Sequence, residues 1–160
     1  MKKSLVIALL TIIVAFASSQ KMNAQNIKVI TGHPDFKIEV LRCAASGPNV
    51  VLDLMVTNIG YEDVKEFKVH GSNYATKFYD NLGNIYERNQ SIEVRIANKD
   101  YTVSDCTIKL VAGLPTRLSY IVHNVSPRAT SFVLIEPDIW VPDWSINLET
   151  VKIRFVPIAR

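Results

Sequence analysis

Hydrophobic side chains recur at every second position in this chain, in short runs separated by turn residues. The clearest run is Asn49 to Gly60, where Val50, Leu52, Leu54 and Val56 share one parity. Val51, Asp53, Met55 and Thr57 share the other. A period of two, rich in β-branched residues, predicts a strand with one buried face. Val51 and Met55 predict partial cover on its second face. Asn58, Ile59 and Gly60 end the run where turn residues are expected.

The same alternation predicts further strands. Phe36, Ile38 and Val40 alternate with Lys37 and Glu39, and Phe67 and Val69 are in phase between Val64 and His70. Phe78 is the expected inward residue of Ala75 to Asp80. Ile85 to Ala97 reads as one strand, with Ile92, Val94 and Ile96 set against Glu93 and Arg95. Cys106, Ile108 and Leu110 share a face, as do Leu118, Tyr120 and Val122. Thr130 to Glu136 is apolar on both parities, which predicts cover on both faces. The last region, Trp144 to Pro157, slips phase at Glu149-Thr150, which predicts a bulge or a bend. No run after the first residues has helical spacing. About seven to eight short strands predict an all-β, two-sheet antiparallel sandwich, because a single sheet leaves one apolar face wet.

The first residues follow a different pattern. Lys2 and Lys3 precede an apolar run from Leu5 to Ala17. A spanning helix needs about 20 apolar residues, so this run is short, and small residues follow it. It predicts a signal peptide over 1–24, with a cut after Ala24 or already after Ala17. Residues 25–34 then read as a loose lead-in and residues 35–160 as the sandwich domain. The chain is expected in the periplasm or secreted, with no membrane insertion after cleavage. Cleavage also changes the charge. The full chain has 18 basic and 15 acidic residues, and losing Lys2, Lys3 and Lys21 balances the two signs. The basic residues show no cluster in sequence, so a nucleic-acid partner is not expected.

The order of the segments carries a resemblance. An FKIEV strand is followed by VVLDLMVTNIG, FKV and KFYDNLGNIYE, and later by a GLPT turn, LSYIVHNV and SPRATSFVLIEP. Val56-Thr57-Asn58-Ile59-Gly60, Asp80 to Glu87 and Ser131-Phe132-Val133-Leu134 are the matching pieces. Over Asp35 to Glu136 this resembles the telokin-like, immunoglobulin-like β-sandwich domains of secreted bacterial proteins of unknown function. The resemblance implies an immunoglobulin-like fold and no shared catalytic residues. The family's usual Pro-Gly-Glu turn is absent, and fold alone does not assign function.

Few residues carry chemistry by pattern. Cys43 and Cys106 are the two cysteines. In an exported chain they are expected to form a disulfide, with two buried thiols as the alternative. Cys43 is out of phase with Phe36, Ile38 and Val40, so it faces inward only if its strand bulges. His33, His70 and His123 show no metal-ligand spacing, and His33-Pro34-Asp35 reads as a turn. Asp138 and Asp143 flank a loop but lack a calcium-loop pattern. Asn89-Gln90-Ser91 matches a glycosylation sequon. The acidic residues mostly sit on outward parities of strands and read as a solvated face. Trp140-Val141-Pro142-Asp143-Trp144 is the most functional-looking stretch, and Trp140, Asp143 and Trp144 are its candidate binding residues. The two tryptophans either stack on a ligand or plug the end of the core. No cofactor, metal or catalytic residue is expected. The reading is a non-catalytic binding module of the cell envelope, recognising a protein or a glycan. A carbohydrate or small-ligand domain built on Trp140 and Trp144 is the first alternative, and a hydrolase with convergent carboxylates the second.

Overall fold

The computed structural model describes residues 27–69, 76–87, 91–97, 99–101, 106–144 and 151–160. The expected signal segment, His70, Asn89 of the sequon and the phase slip at Glu149-Thr150 lie outside these described residues. Within them the chain is all β, with no α-helix.

The strands are β1 (Lys28–Ile30), β2 (Phe36–Ser46), β3 (Asn49–Asn58), β4 (Val64–Val69), β5 (Lys77–Asp80), β6 (Ile85–Tyr86) and β7 (Ile92–Ile96). They continue as β8 (Lys99–Tyr101), β9 (Cys106–Leu110), β10 (Thr116–Val122), β11 (Ser131–Glu136), β12 (Ile139–Trp140) and β13 (Lys152–Pro157). Sheet I has the order β1-β13-β11-β5-β6, sheet II β2-β3-β10-β7-β8 and sheet III β12-β4-β9. The strands within each sheet pair antiparallel.

One hydrophobic core joins the three sheets. Val50, Leu52, Leu54 and Val56 of β3 are all buried, as the alternation predicts. Leu118, Tyr120 and Val122 of β10 face the same core. Ring contacts tie the sheets together. Phe78 of sheet I meets Tyr120 of sheet II edge to face at 5.6 Å. Phe36 of sheet II meets Phe67 of sheet III at 5.7 Å. Sheet II is thus bonded through its inner face to both other sheets, an arrangement consistent with a β-sandwich.

Several boundaries differ from the pattern reading, each for a local reason. Lys28 to Ile30, expected in a loose lead-in, pair with Lys152 to Arg154 as an edge strand. The expected single strand from Ile85 to Ala97 is two. Its first part pairs with β5 in sheet I and its second with β10 in sheet II. The alternation survives this crossing between sheets, so periodicity does not reveal it. The proline-bounded loop after Glu136 contains β12 and a 3-10 turn over Pro142–Trp144. Thr130 to Glu136 is covered less fully than expected. Phe132 and Ile135 are buried, while Val133 and Leu134 are half-buried.

Cys43 and Cys106 are not joined in a disulfide, which corrects the expected bridge. Both are buried thiols. Cys43 lies opposite Leu52 in sheet II, and Cys106 lies opposite Val69 in sheet III. Each fills the inner face of its own sheet as a small apolar residue. The phase mismatch at Cys43 is resolved by a register shift between Val40 and Arg42, which turns Cys43 inward. Burial, and next the Asp53 charge, push the Cys43 thiol up to about 12, so it is protonated at neutral pH.

Candidate functional site

The end of β3 organises a cluster of loops. Asn58 is buried and holds the loop from inside. Its Nδ2 donates to the Glu62 carbonyl at 2.7 Å and its Oδ1 accepts from the Gly60 amide at 3.0 Å. Its backbone carbonyl accepts from the Gly113 amide at 2.8 Å. The Asx-type closure explains why a polar residue is buried at this corner. Close approach favours glycine at position 60. A Cβ there would lie 3.2 Å from Asn58 Oδ1 and 3.3 Å from the Asp35 side chain. The Val-Thr-Asn-Ile-Gly stretch therefore works as a structural corner.

Further contacts fix the neighbouring loops. The Ile59 amide donates to the Asp35 carbonyl at 2.8 Å. Asp63 accepts from the Ala112 amide at 2.9 Å and pairs with Lys109 at 2.6 Å. The hydrogen bond from Lys109, then that from Ala112, hold the Asp63 carboxyl below its ordinary range. Asp143 Oδ2 accepts from the Lys65 amide at 3.2 Å, which ties the 3-10 turn to β4.

A hollow of about 570 Å³ lies among these loops, lined by Asp35, Asn58, Tyr61, Asp63, Asp143 and Trp144 among others. Tyr61 is fully exposed there. Trp144 is half-buried. Its ring stacks on His33 at 4.9 Å with 4° between the planes, and it lies 5.5 Å from Phe36. Trp144 is therefore held rigidly, with its support coming from the edge of the core. His33 also closes the expected turn, its carbonyl accepting from the Phe36 amide at 3.2 Å.

The structure brings together two of the three candidate binding residues. Asp143 and Trp144 share the hollow, whereas Trp140 is not among its lining residues. Trp140 lies on β12 opposite Lys68 of β4, whose ammonium sits 4.3 Å from the ring centroid. That is a cation–π contact on a sheet edge. Asp138 and Asp143 do not pair as a calcium site. Asp138 is buried, with its amide donating to Thr76 Oγ1 at 3.0 Å, whereas Asp143 is exposed. Among the described residues no group of three or more His, Cys, Asp or Glu side chains is placed to hold a metal.

Pattern reading missed Asp35, Tyr61, Glu62 and Asp63 as hollow residues. The available signal was the Tyr-Glu-Asp triplet directly after the Asn-Ile-Gly corner, since an aromatic residue in a tight exposed loop has no core to enter. The chain matches no family model, no curated protein and no solved structure.

Proposed function

We propose that this chain is a non-catalytic, exported binding module of the cell envelope, an immunoglobulin-like sandwich that takes a glycan among the loops at one end. One observation carries the reading. Tyr61 and Trp144 line a hollow whose other lining residues include the acidic Asp35, Glu62, Asp63 and Asp143. Aromatic rings offer flat apolar surface to sugar rings, and carboxylates accept hydrogen bonds from their hydroxyls. Trp144 is pre-positioned by His33 and Phe36, so ordering it on binding costs little. Export is supported by Lys2, Lys3 and the Leu5 to Ala17 run, and the immunoglobulin-like reading by the order of the segments and the antiparallel pairing.

Converging carboxylates are also what a glycoside hydrolase requires. Such an enzyme needs one carboxyl held protonated as the acid, with its pKa raised. Asp63 is pushed in the opposite direction by Lys109 and Ala112. Binding without hydrolysis is the better reading. A glycan array on the mature protein, followed by calorimetry, tests it. The expected result is saturable binding that Tyr61→Ala abolishes without altering the circular dichroism spectrum. Binding that survives Tyr61→Ala, or capture of envelope proteins with no glycan binding, rejects the glycan. Release of shortened sugars would move the reading to the hydrolase.

A further inference from the structure

The outer face of sheet II shows how this fold places cations on a sheet, which is beside acidic residues. Arg42 of β2 and Ser119 of β10 both lie opposite Asp53 of β3, and Arg95 of β7 lies opposite Ser119. One row thus crosses four strands as Arg42, Asp53, Ser119 and Arg95. Arg42 reaches this face because of the register shift after Val40. Asp53 is only 2% exposed. Arg42 Nε at 3.1 Å and a terminal nitrogen of Arg117 at 2.8 Å both donate to its Oδ2, although both arginine side chains stay largely exposed. Ser119 Oγ donates to Asp53 Oδ1 at 2.6 Å. Arg95 lies in register opposite Asp100 of β8.

Sheet I treats two of its cations differently. Register sets Lys28 of β1, Arg154 of β13, Leu134 of β11, Tyr79 of β5 and Ile85 of β6 in one row across all five strands. The adjacent residues Ile153, Ile135, Phe78 and Tyr86 are buried, so this row faces outward. Lys28 and Arg154 are like charges directly opposite each other, an unfavourable pairing across strands. Neither is ion-paired with a carboxylate among the described residues. Beside them the same face does balance its charges. Lys152 pairs with Glu136 at 3.4 Å, and Lys77 with Glu87 at 3.7 Å. The two cations of the row are therefore left over.

Phe155 adds an aromatic ring to this face. Ile153 and Val156 are both buried, so two consecutive residues between them, Arg154 and Phe155, turn away from the core. Unbroken alternation from Val151 and Ile153 would have put the Phe155 ring inside. It is turned out by a φ of 60°, the left-handed region that a bulky side chain rarely adopts. Glycine or asparagine would take that backbone with less strain, and the core gains little from a ring that is 52% exposed. Ile85, and Ile30 opposite Lys152, are exposed large apolar residues on the same face. Strain, unmatched cations and exposed apolar side chains thus coincide on one sheet.

We propose that the outer face of sheet I docks on a membrane surface that carries anionic lipid. Lys28 and Arg154 meet headgroup phosphates, and Phe155, Ile85 and Ile30 settle at the boundary between headgroups and acyl chains. A guanidinium matches phosphate oxygens in two parallel hydrogen bonds. The row extends over five strands, about 19 Å at the usual strand spacing. A peptide is held in a groove or along a strand edge, whereas side chains spread over a broad face suit a planar partner. The protein lies on the membrane without crossing it. None of these residues lines the loop hollow, so the docking face does not depend on the glycan reading.

Sedimentation of the mature protein with large vesicles tests the proposal. One arm uses phosphatidylcholine alone, a second mixes in phosphatidylglycerol, and a third replaces vesicles by soluble polyglutamate, followed by calorimetry. The protein is expected to sediment with the anionic vesicles, less with the neutral ones, and less still as salt is raised. Arg154→Gln and Lys28→Gln are each expected to weaken binding by roughly fivefold, the worth of one cation near such a surface. Phe155→Asn is expected to weaken it at least as much while leaving the thermal midpoint unchanged or higher, because asparagine tolerates the left-handed backbone. Lys37→Gln removes a cation from β2 in sheet II and is expected to leave binding unchanged. Equal sedimentation with both vesicles, or with neither, overturns the site. So does undiminished binding in Arg154→Gln or Phe155→Asn, or an equal loss in Lys37→Gln. Polyglutamate binding as tight as vesicle binding overturns the membrane in favour of an acidic protein.

Discussion

Tyr86 donates its hydroxyl hydrogen to Asp80 Oδ2 at 2.8 Å, inside the hairpin that joins β5 to β6. Asp80 is buried, and it also accepts from the Leu82 amide, the Asn84 amide and Asn84 Nδ2. The Tyr86 oxygen in turn accepts from the Ser126 amide at 3.2 Å. One phenol thus ties the hairpin to the turn before β11.

Tyr86→Phe should therefore destabilise beyond the loss of a surface contact. It leaves Asp80 one donor short and Ser126 without this acceptor. The expected cost is about 1–3 kcal/mol, the penalty for leaving buried polar groups unpaired. Urea denaturation of the two proteins measures it, and coincident midpoints would show that the hydroxyl contributes nothing.

Asp53 and Leu54 are neighbours on opposite faces of β3, and both should matter. Leu54→Ala opens the core and is expected to cost about 2–5 kcal/mol. Asp53→Ala leaves Arg42 and Arg117 close together without their shared counter-charge and removes the partner of Ser119. About 1–3 kcal/mol is expected, discounted because both guanidinium groups are largely exposed. An effect under about 0.5 kcal/mol, ordinary for a surface site, would place Asp53 in solvent.

Acid should destabilise this protein through Asp80 and Asp53. Burial opposes ionisation of Asp80, but the hydrogen bonds from Asn84, Tyr86 and Leu82 outweigh it and hold its carboxyl below the ordinary value of 3.8. Asp53 is lowered as well. Near and below that value the unfolded chain binds more protons than the native one, so protons favour unfolding. The stabilisation is complete above about pH 5 and drains away as pH falls through the lowered native values. Urea midpoints taken from pH 7 down to pH 3 should show this fall, and Asp80→Asn should flatten it.

The two cysteines should behave as buried apolar residues. Thiol reagent should react slowly with native protein and find two thiols per chain after denaturation, in protein prepared without reductant. Adding reductant should leave the thermal midpoint where it was. A downward shift of several degrees would reveal a bridge instead.

The inward faces of β3 and β10 were legible because alternation with a period of two names a buried face directly. Val50, Leu52, Leu54 and Val56 needed no other information. The row of Arg42, Asp53, Ser119 and Arg95 was not legible, because its members come from four strands and meet only through register. Arg42 also needed the shift after Val40, which alternation alone contradicts. The same shift turns Cys43 inward, where alternation alone placed it outward, and the disulfide was expected from the pair of cysteines in an exported chain. At the loop hollow, Asp143 and Trp144 stood out because a proline-bounded aromatic loop is conspicuous. Tyr61 did not, since a single aromatic residue in a polar connection has no period. Trp140 looked equivalent to Trp144 in sequence, yet β12 carries it to Lys68.

The alternation of Leu52, Asp53 and Leu54 also bears on how the chain finds its pairing. A slip of β3 by one residue against its neighbours would carry Asp53 into the interior and expose both leucines. Burying that charge away from Arg42 and Arg117 costs several kcal/mol, more than most single contacts return. The carboxylate therefore acts as a proofreader of strand assembly, penalising every odd-numbered misalignment of β3 before the sandwich closes.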